Sequence, residues 1–100
     1  MRQIYTVPVS GGAPRQLTRE GMDNERPRWS PDSKKILFTD TGLNLWVVDV
    51  ATGKAVKADT DQWMVPERSM NPVWSPDSRW IAYVKHLNSL YKAVVVVNVE

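Results

Sequence analysis

The chain has one histidine, His86, and a Ser-His-acid hydrolytic site within it would have to use that residue as its base. His86 stands in KHLNSLYKA with no nucleophile motif such as G-x-S-x-G beside it. It reads as a solvated or hydrogen-bonded loop histidine, with contact to a partner as its functional alternative. Asp59-Thr60-Asp61 offers two carboxylates at calcium-like spacing, but the glycine and distal glutamate of a calcium loop are missing, and no metal site is expected. Asp32 and Asp77 could be imagined as an acid–base pair, and Trp29 and Trp74 as a ligand-stacking pair. Each pair, however, is one residue written twice, 45 positions apart. That favours turn capping for the aspartates and packing between repeated units for the tryptophans. No catalytic residue and no cofactor is expected of this chain.

The repeat says how these residues must be positioned. PRWSPDSKKILFTD (27–40) returns as PVWSPDSRWIAYVK (72–85), a period of about 45, the length typical of one four-stranded propeller blade. IYTVPVSGG (4–12) overlays LWVVDVATG (45–53), and VVVVNVE (94–100) overlays the start of the same segment. These stretches are rich in Val, Ile, Tyr and Trp without a helical apolar stripe, so they read as strands. Pro31 and Asp32, like Pro76 and Asp77, suit the central positions of a type I turn, because proline pre-sets φ and the carboxylate can accept from nearby amides. W-S-P-D-S is therefore predicted to be a hairpin turn between a short strand ending at Trp29 and a longer one through Ile36-Leu37-Phe38. Apolar residues at consecutive positions in that longer strand predict a sheet covered on both faces. Gly12 and Gly53 suit the positive-φ position of a three-residue hairpin with a bulge, and fourth strands are expected at 13–17 and 54–58.

The expected fold is all-β, with β-propeller blades of four antiparallel strands and about two blades in this chain. Residues 3–18 are expected to supply the third and fourth strands of one blade, 27–58 a complete blade, and 72–100 the first three strands of the next. Propellers close with typically 4 to 8 blades. Two blades thus imply a piece of a longer protein or copies that associate edge to edge, with Val94 to Val97 the edge most prone to pairing.

Thirteen Lys plus Arg against eleven Asp plus Glu leave a net charge of +2, and the basic residues are scattered singly apart from Lys34-Lys35. That is too weak for a nucleic-acid or anionic-membrane footprint. With no cysteine, thiol catalysis, disulfides and Cys-based zinc sites are excluded. No apolar run approaches the roughly 18 residues of a transmembrane helix. Met1 to Tyr5 enters a strand-like pattern in place of the apolar core of a signal peptide.

The two W-S-P-D-S units with their flanks resemble the Trp-Ser-Pro-Asp β-propeller repeats of TolB, of prolyl oligopeptidase propellers and of tricorn-type proteases. NLWVVDVATGKAVKADTD and RSMNPVWSPDSRWIAYVKHLNSLYKAVVVVNVE look most like a propeller of a tricorn-type protease. One departure is that Ser33 and Ser78 stand where glycine is commonest in these turns, a change that type I geometry is expected to tolerate. In tricorn-type proteases the propellers filter and dock substrates while a separate domain hydrolyses the peptide, and nothing in this chain resembles that domain. The resemblance thus implies a non-catalytic module for peptides or protein partners, an accessory part of a tricorn-like protease, with a TolB-like protein-interaction propeller as the alternative. It implies a cytoplasmic location in the first case and a periplasmic one in the second.

Propeller topology would bring DTDQWMVPERSMN (59–71) and the connection holding His86 and Tyr91 to one common face. The first of these is longer than most connections and carries an aromatic beside methionine and arginine, a composition typical of contact surfaces. Trp63, Met64, Arg68, His86 and Tyr91 are the candidate binding residues. Trp29, Pro31, Asp32, Trp74, Pro76 and Asp77 are the structural residues of the repeat.

Overall fold

The computed structural model describes residues 2–19, 21, 23–61, 70–87 and 91–100. The W-S-P-D-S segments form the hairpins that organise it. In the first, Ser33 donates its amide to the Ser30 carbonyl at 2.9 Å, closing a turn with Pro31 and Asp32 at its centre. The Asp32 carboxylate accepts from the Ser30 hydroxyl at 2.6 Å and the Lys34 amide at 3.0 Å, and the Ser30 hydroxyl oxygen accepts from the Lys35 amide. The second copy repeats every bond, from Ser75, Asp77, Ser78, Arg79 and Trp80. These hydrogen bonds, the Ser30 hydroxyl first and the Lys34 amide next, hold Asp32 below the usual carboxylate range, and Ser75 and the Arg79 amide do the same for Asp77.

Each hairpin seeds a meander. β1 (Tyr5–Thr6) and β2 (Arg15–Gln16) form a two-stranded sheet. β3 (Glu25–Trp29), β4 (Lys35–Thr39), β5 (Asn44–Asp49) and β6 (Ala55–Thr60) form a four-stranded sheet in sequence order. β7 (Val73–Trp74), β8 (Trp80–His86) and β9 (Lys92–Asn98) form a three-stranded one. All pairings are antiparallel. The turn into β6 has Gly53 at φ +76, a left-handed position that a Cβ would strain, with its amide on the Asp49 carbonyl at 2.7 Å.

The three sheets are stacked, and the alternation along β4 and β5 shows how. Ile36, Phe38 and Val48 turn to one side and pack with Ile4 and Leu17 of the first sheet. Leu37, Leu45 and Val47 turn to the other and pack with Met70, Ile81 and Tyr83 against the third. Phe38, Leu37, Leu45 and Val48 have no measurable exposure, so the consecutive apolar run is buried from both faces as expected. Trp46 stacks on Phe38 with ring centroids 6.1 Å apart and donates its indole N–H to Asp40 at 2.8 Å. The two repeat tryptophans part company here. Trp74 packs on the second cluster and donates to the Arg28 carbonyl of the preceding sheet at 3.1 Å, whereas Trp29, at the equivalent place, is 52% exposed. Its packing against a preceding unit, expected from the repeat, is therefore not made within the described residues.

The expectation for Ser33 and Ser78 needs correction. They follow the two central turn residues and lie at φ +64 and +65, the left-handed region in which a Cβ costs about 1–2 kcal/mol. They are not equivalent, because the buried Ser78 hydroxyl accepts the Asp32 amide of the neighbouring hairpin at 3.0 Å while Ser33 is exposed. Ser33→Gly should therefore stabilise the chain by about 0.5–1 kcal/mol, raising the melting midpoint by about 3 °C. Ser78→Gly should gain nothing or lose, since it gives up a bond between sheets. Thermal melts at one chain concentration check this; an equal gain in both variants would remove the role assigned to the Ser78 hydroxyl.

Candidate functional site

The end of the stack where β6 finishes and β8 finishes collects five polar side chains. Asp59 is in β6 and Asp61 follows it, tied by its amide to the Leu43 carbonyl at 2.7 Å. Tyr83, Lys85 and His86 come from the last four residues of β8, which the ladder with β9 keeps straight to Lys92. Tyr83 donates its hydroxyl to one oxygen of Asp59, and the Lys85 ammonium donates to the other at 2.9 Å. Asp61 holds His86 twice, accepting its amide at 3.0 Å and its Nδ1 at 2.8 Å. With a carboxylate facing it, Nδ1 carries a ring proton. Nε2 is buried with no hydrogen-bond partner among the described residues.

His86 is accordingly not a loop residue, as the sequence reading had it, but the final residue of β8, 4% exposed and turned into the seam between two sheets. Asp59 and Asp61 do not converge on a common point, because one is engaged by Tyr83 and Lys85 and the other by His86. Tyr91, just before β9, is 64% exposed. Trp63, Met64 and Arg68 lie outside the described residues. The structure thus places a buried His86 and an exposed Tyr91 near the two ends of one hairpin connection. The tie of Asp59 to Tyr83 and Lys85 was missed by sequence reasoning; its one signal was Tyr83 and Lys85 two apart on the face of β8 that carries Ile81.

The electrostatics follow the bonding. Burial pushes Asp59 up, but hydrogen bonds from Tyr83, Lys85 and the Thr60 amide outweigh it and hold the carboxyl below its ordinary value. Burial, and then the bond to Asp59, push the Tyr83 phenol well above its ordinary value. Chemically, Asp61 and His86 have the orientation of an acid–base dyad, yet no described hydroxyl reaches Nε2, and the pair acts as a strut between sheets.

No family model matches the chain. An uncharacterised protein of Agrobacterium fabrum is 29% identical over 83 residues, 80% of this chain and 27% of that protein. A Sulfurisphaera tokodaii protein named as a Tricorn-like protease C-terminal subunit is 37% identical over 59 residues, 59% of this chain and 7% of that protein. A Tricorn protease homolog of Saccharolobus solfataricus is 28% identical over 72 residues, 72% of this chain and 6% of its own length. This chain therefore spans 27% or less of these relatives. Among solved structures, TolB from Acinetobacter baumannii superposes with a TM-score of 0.72 at 17% identity, over 96% of this chain and 24% of that one. A TolB structure from Agrobacterium tumefaciens gives 0.69 at 22% identity, over 96% and 34%. The fold is that of a β-propeller in part, like the TolB structures, and the sequence likeness is to tricorn-like proteases. No helix among the described residues is long and apolar enough to cross a membrane.

The seam cluster predicts opposite pH limits. Asp59, depressed below its ordinary 3.8, contributes stability above that value that is lost as pH falls below it. Tyr83, raised above its ordinary 10.0, contributes stability below pH 10.0 that is lost as pH rises past it. Tyr83→Phe should cost about 1–2 kcal/mol at neutral pH and flatten the alkaline loss, and Asp61→Ala, which strands two buried N–H groups, about 2–3 kcal/mol. Chemical denaturation across pH checks both; an unchanged alkaline slope in Tyr83→Phe would remove the phenol from the account.

Proposed function

We propose that this chain is a non-catalytic part of a β-propeller that binds proteins or peptides, serving as a gating or docking element of a tricorn-like protease. The observation that supports it is the Asp59–Tyr83–Lys85 and Asp61–His86 cluster. It ties β6 to β8 across the seam and gives the connections at that end a rigid base, as contact loops require. On that base Tyr91 is an exposed contact residue, His86 lies buried beside it at the end of β8, and Trp63, Met64 and Arg68, outside the described residues, are its proposed partners in recognition. The three sheets act as consecutive parts of a propeller: third and fourth strands, a complete blade, then first to third strands. Names of relatives favour the protease setting, whereas both superposed structures are TolB, and a TolB-like periplasmic interaction propeller is the second reading.

Recognition by this face involves no covalent step, so the chain hydrolyses no peptide by itself. Copies associate through their open sheet edges. Screening the folded chain against a peptide array should give saturable binding that weakens about tenfold in Trp63→Ala, Arg68→Ala or Tyr91→Ala, with no cleavage of a fluorogenic peptide. Binding indifferent to all three changes, or cleavage that persists in a homogeneous preparation, would overturn the proposal. Light scattering should show a discrete species heavier than the 11.4 kDa chain, and a monomer at high concentration would overturn the association.

A further inference from the structure

The repeat separates what the fold needs from what one copy alone carries. Overlaid on their counterparts, Arg26-Pro27-Arg28-Trp29 of β3 stand where Asn71-Pro72-Val73-Trp74 lead into β7. The proline and the tryptophan are written twice. The two arginines are not, so neither charge is a requirement of the sheet.

Arg26 occupies its place against local preference. It lies at φ +56 and Asn71 at φ +50, in the left-handed region that asparagine enters far more readily than arginine. The ladder pairs Glu25 with Thr39 and Arg28 with Leu37, so Arg26 and Pro27 together stand opposite Phe38 as a bulge. Bulges redirect side chains, and an arginine kept in an unfavourable conformation points to a role that asparagine would not fill. Arg28 is fixed by the seam. Its side chain shares the face of Leu37, which packs toward the third sheet, and its carbonyl accepts the Trp74 indole N–H at 3.1 Å. Both walls at this place, β3 and β7, belong to the described residues, and Arg26 and Arg28 are exposed beside them.

Arg2 and Arg79 each meet a carboxylate, but Arg26 and Arg28 have no side-chain hydrogen bond or ion pair among the described residues. The facing stretch, 70–74, contains no acidic residue. Arg26 follows Glu25 at the level of Thr39, the end of the sheet from which the Leu43 carbonyl holds Asp61, and Asp61 holds His86. The arginines thus continue the proposed contact face along the first strand.

We infer that Arg26 and Arg28 form a binding site for an extended peptide with acidic residues at alternate positions, each carboxylate accepting from one guanidinium. Carboxylates two residues apart in an extended chain are separated by about 6.6 Å, which suits guanidiniums two positions apart on β3. Two such cations, in a chain of net charge +2, suit a short acidic segment and not a nucleic-acid backbone. The inference rests on the binding reading proposed above and adds the chemistry of the ligand to it.

Calorimetry on the full chain should show saturable binding of acetyl-GAEAEAG-amide, about tenfold tighter than acetyl-GAQAQAG-amide and weakening as salt rises. Arg26→Asn and Arg28→Val install the residues of the second copy, so both variants should fold, and Arg26→Asn should melt higher. Each should weaken the acidic peptide about tenfold and leave the glutamine peptide unchanged. Melting curves on the same samples keep a folding defect apart from a lost contact, and Arg28→Gln replaces Arg28→Val if the latter melts lower. Equal affinity for the two peptides, or variants that hold the acidic peptide as tightly as the parent, would overturn the inference. So would its displacement at equal potency by a seven-residue thymidine oligonucleotide, the mark of a general anion patch. Acidic binding indifferent to Tyr91→Ala would sink only the contact face, and array binding through Tyr91 without acidic preference would sink only this ligand class.

Discussion

A sheet whose central strand is apolar on both faces cannot stand alone in water, and Ile36-Leu37-Phe38 puts this chain under that constraint. Each of those side chains is worth about 1.5–3 kcal/mol when buried, and the single sheet can supply cover for neither of its faces. The first sheet answers one face through Ile4 and Leu17, and the third answers the other through Ile81 and Tyr83. The stacking, the hydrogen bonds that cross it and the placement of the polar cluster all follow from that demand.

The two seams are sealed differently. The first is closed by a network of neutral groups, with Thr18 accepting the Ile4 amide at 2.9 Å and donating to Gln3 at 2.6 Å and Asn24 donating to both, and by the exposed Arg15 guanidinium on the Val50 carbonyl at 2.7 Å. The second is closed by ionised or ionisable groups on Asp59, Asp61, Lys85 and His86. Charges withdrawn from water return little net stability, but a broken partner is expensive, so such a seam fixes which residues may face one another. By contrast, the exposed pairs of Arg2 with Asp23 and Glu25 add little, because solvent screens them.

What the sequence disclosed was whatever the chain does locally and twice. The turns at Pro31-Asp32 and Pro76-Asp77, the strand order and the two-sided burial of β4 were all legible from period and residue type. What it hid depended on distant neighbours. His86 follows Val84-Lys85, where the apolar pattern fades, and the carboxylate that keeps it in a strand is 25 residues away. Trp29 and Trp74 are spelled alike, yet only one has a carbonyl in front of it, and nothing in the motif tells them apart. Ser33 and Ser78 share a backbone conformation but not a function, since only Ser78 meets another hairpin.

Three sheets joined by two seams make a linear array with nearest-neighbour coupling. In such an array the number of interfaces is one fewer than the number of units while it stays open, and equals it once the ends meet. The final interface of a closed ring therefore arrives without the entropy of ordering any further unit. An open stretch always forgoes that contribution, which leaves its outermost sheets as the least cooperative part of the array and the first to exchange with solvent.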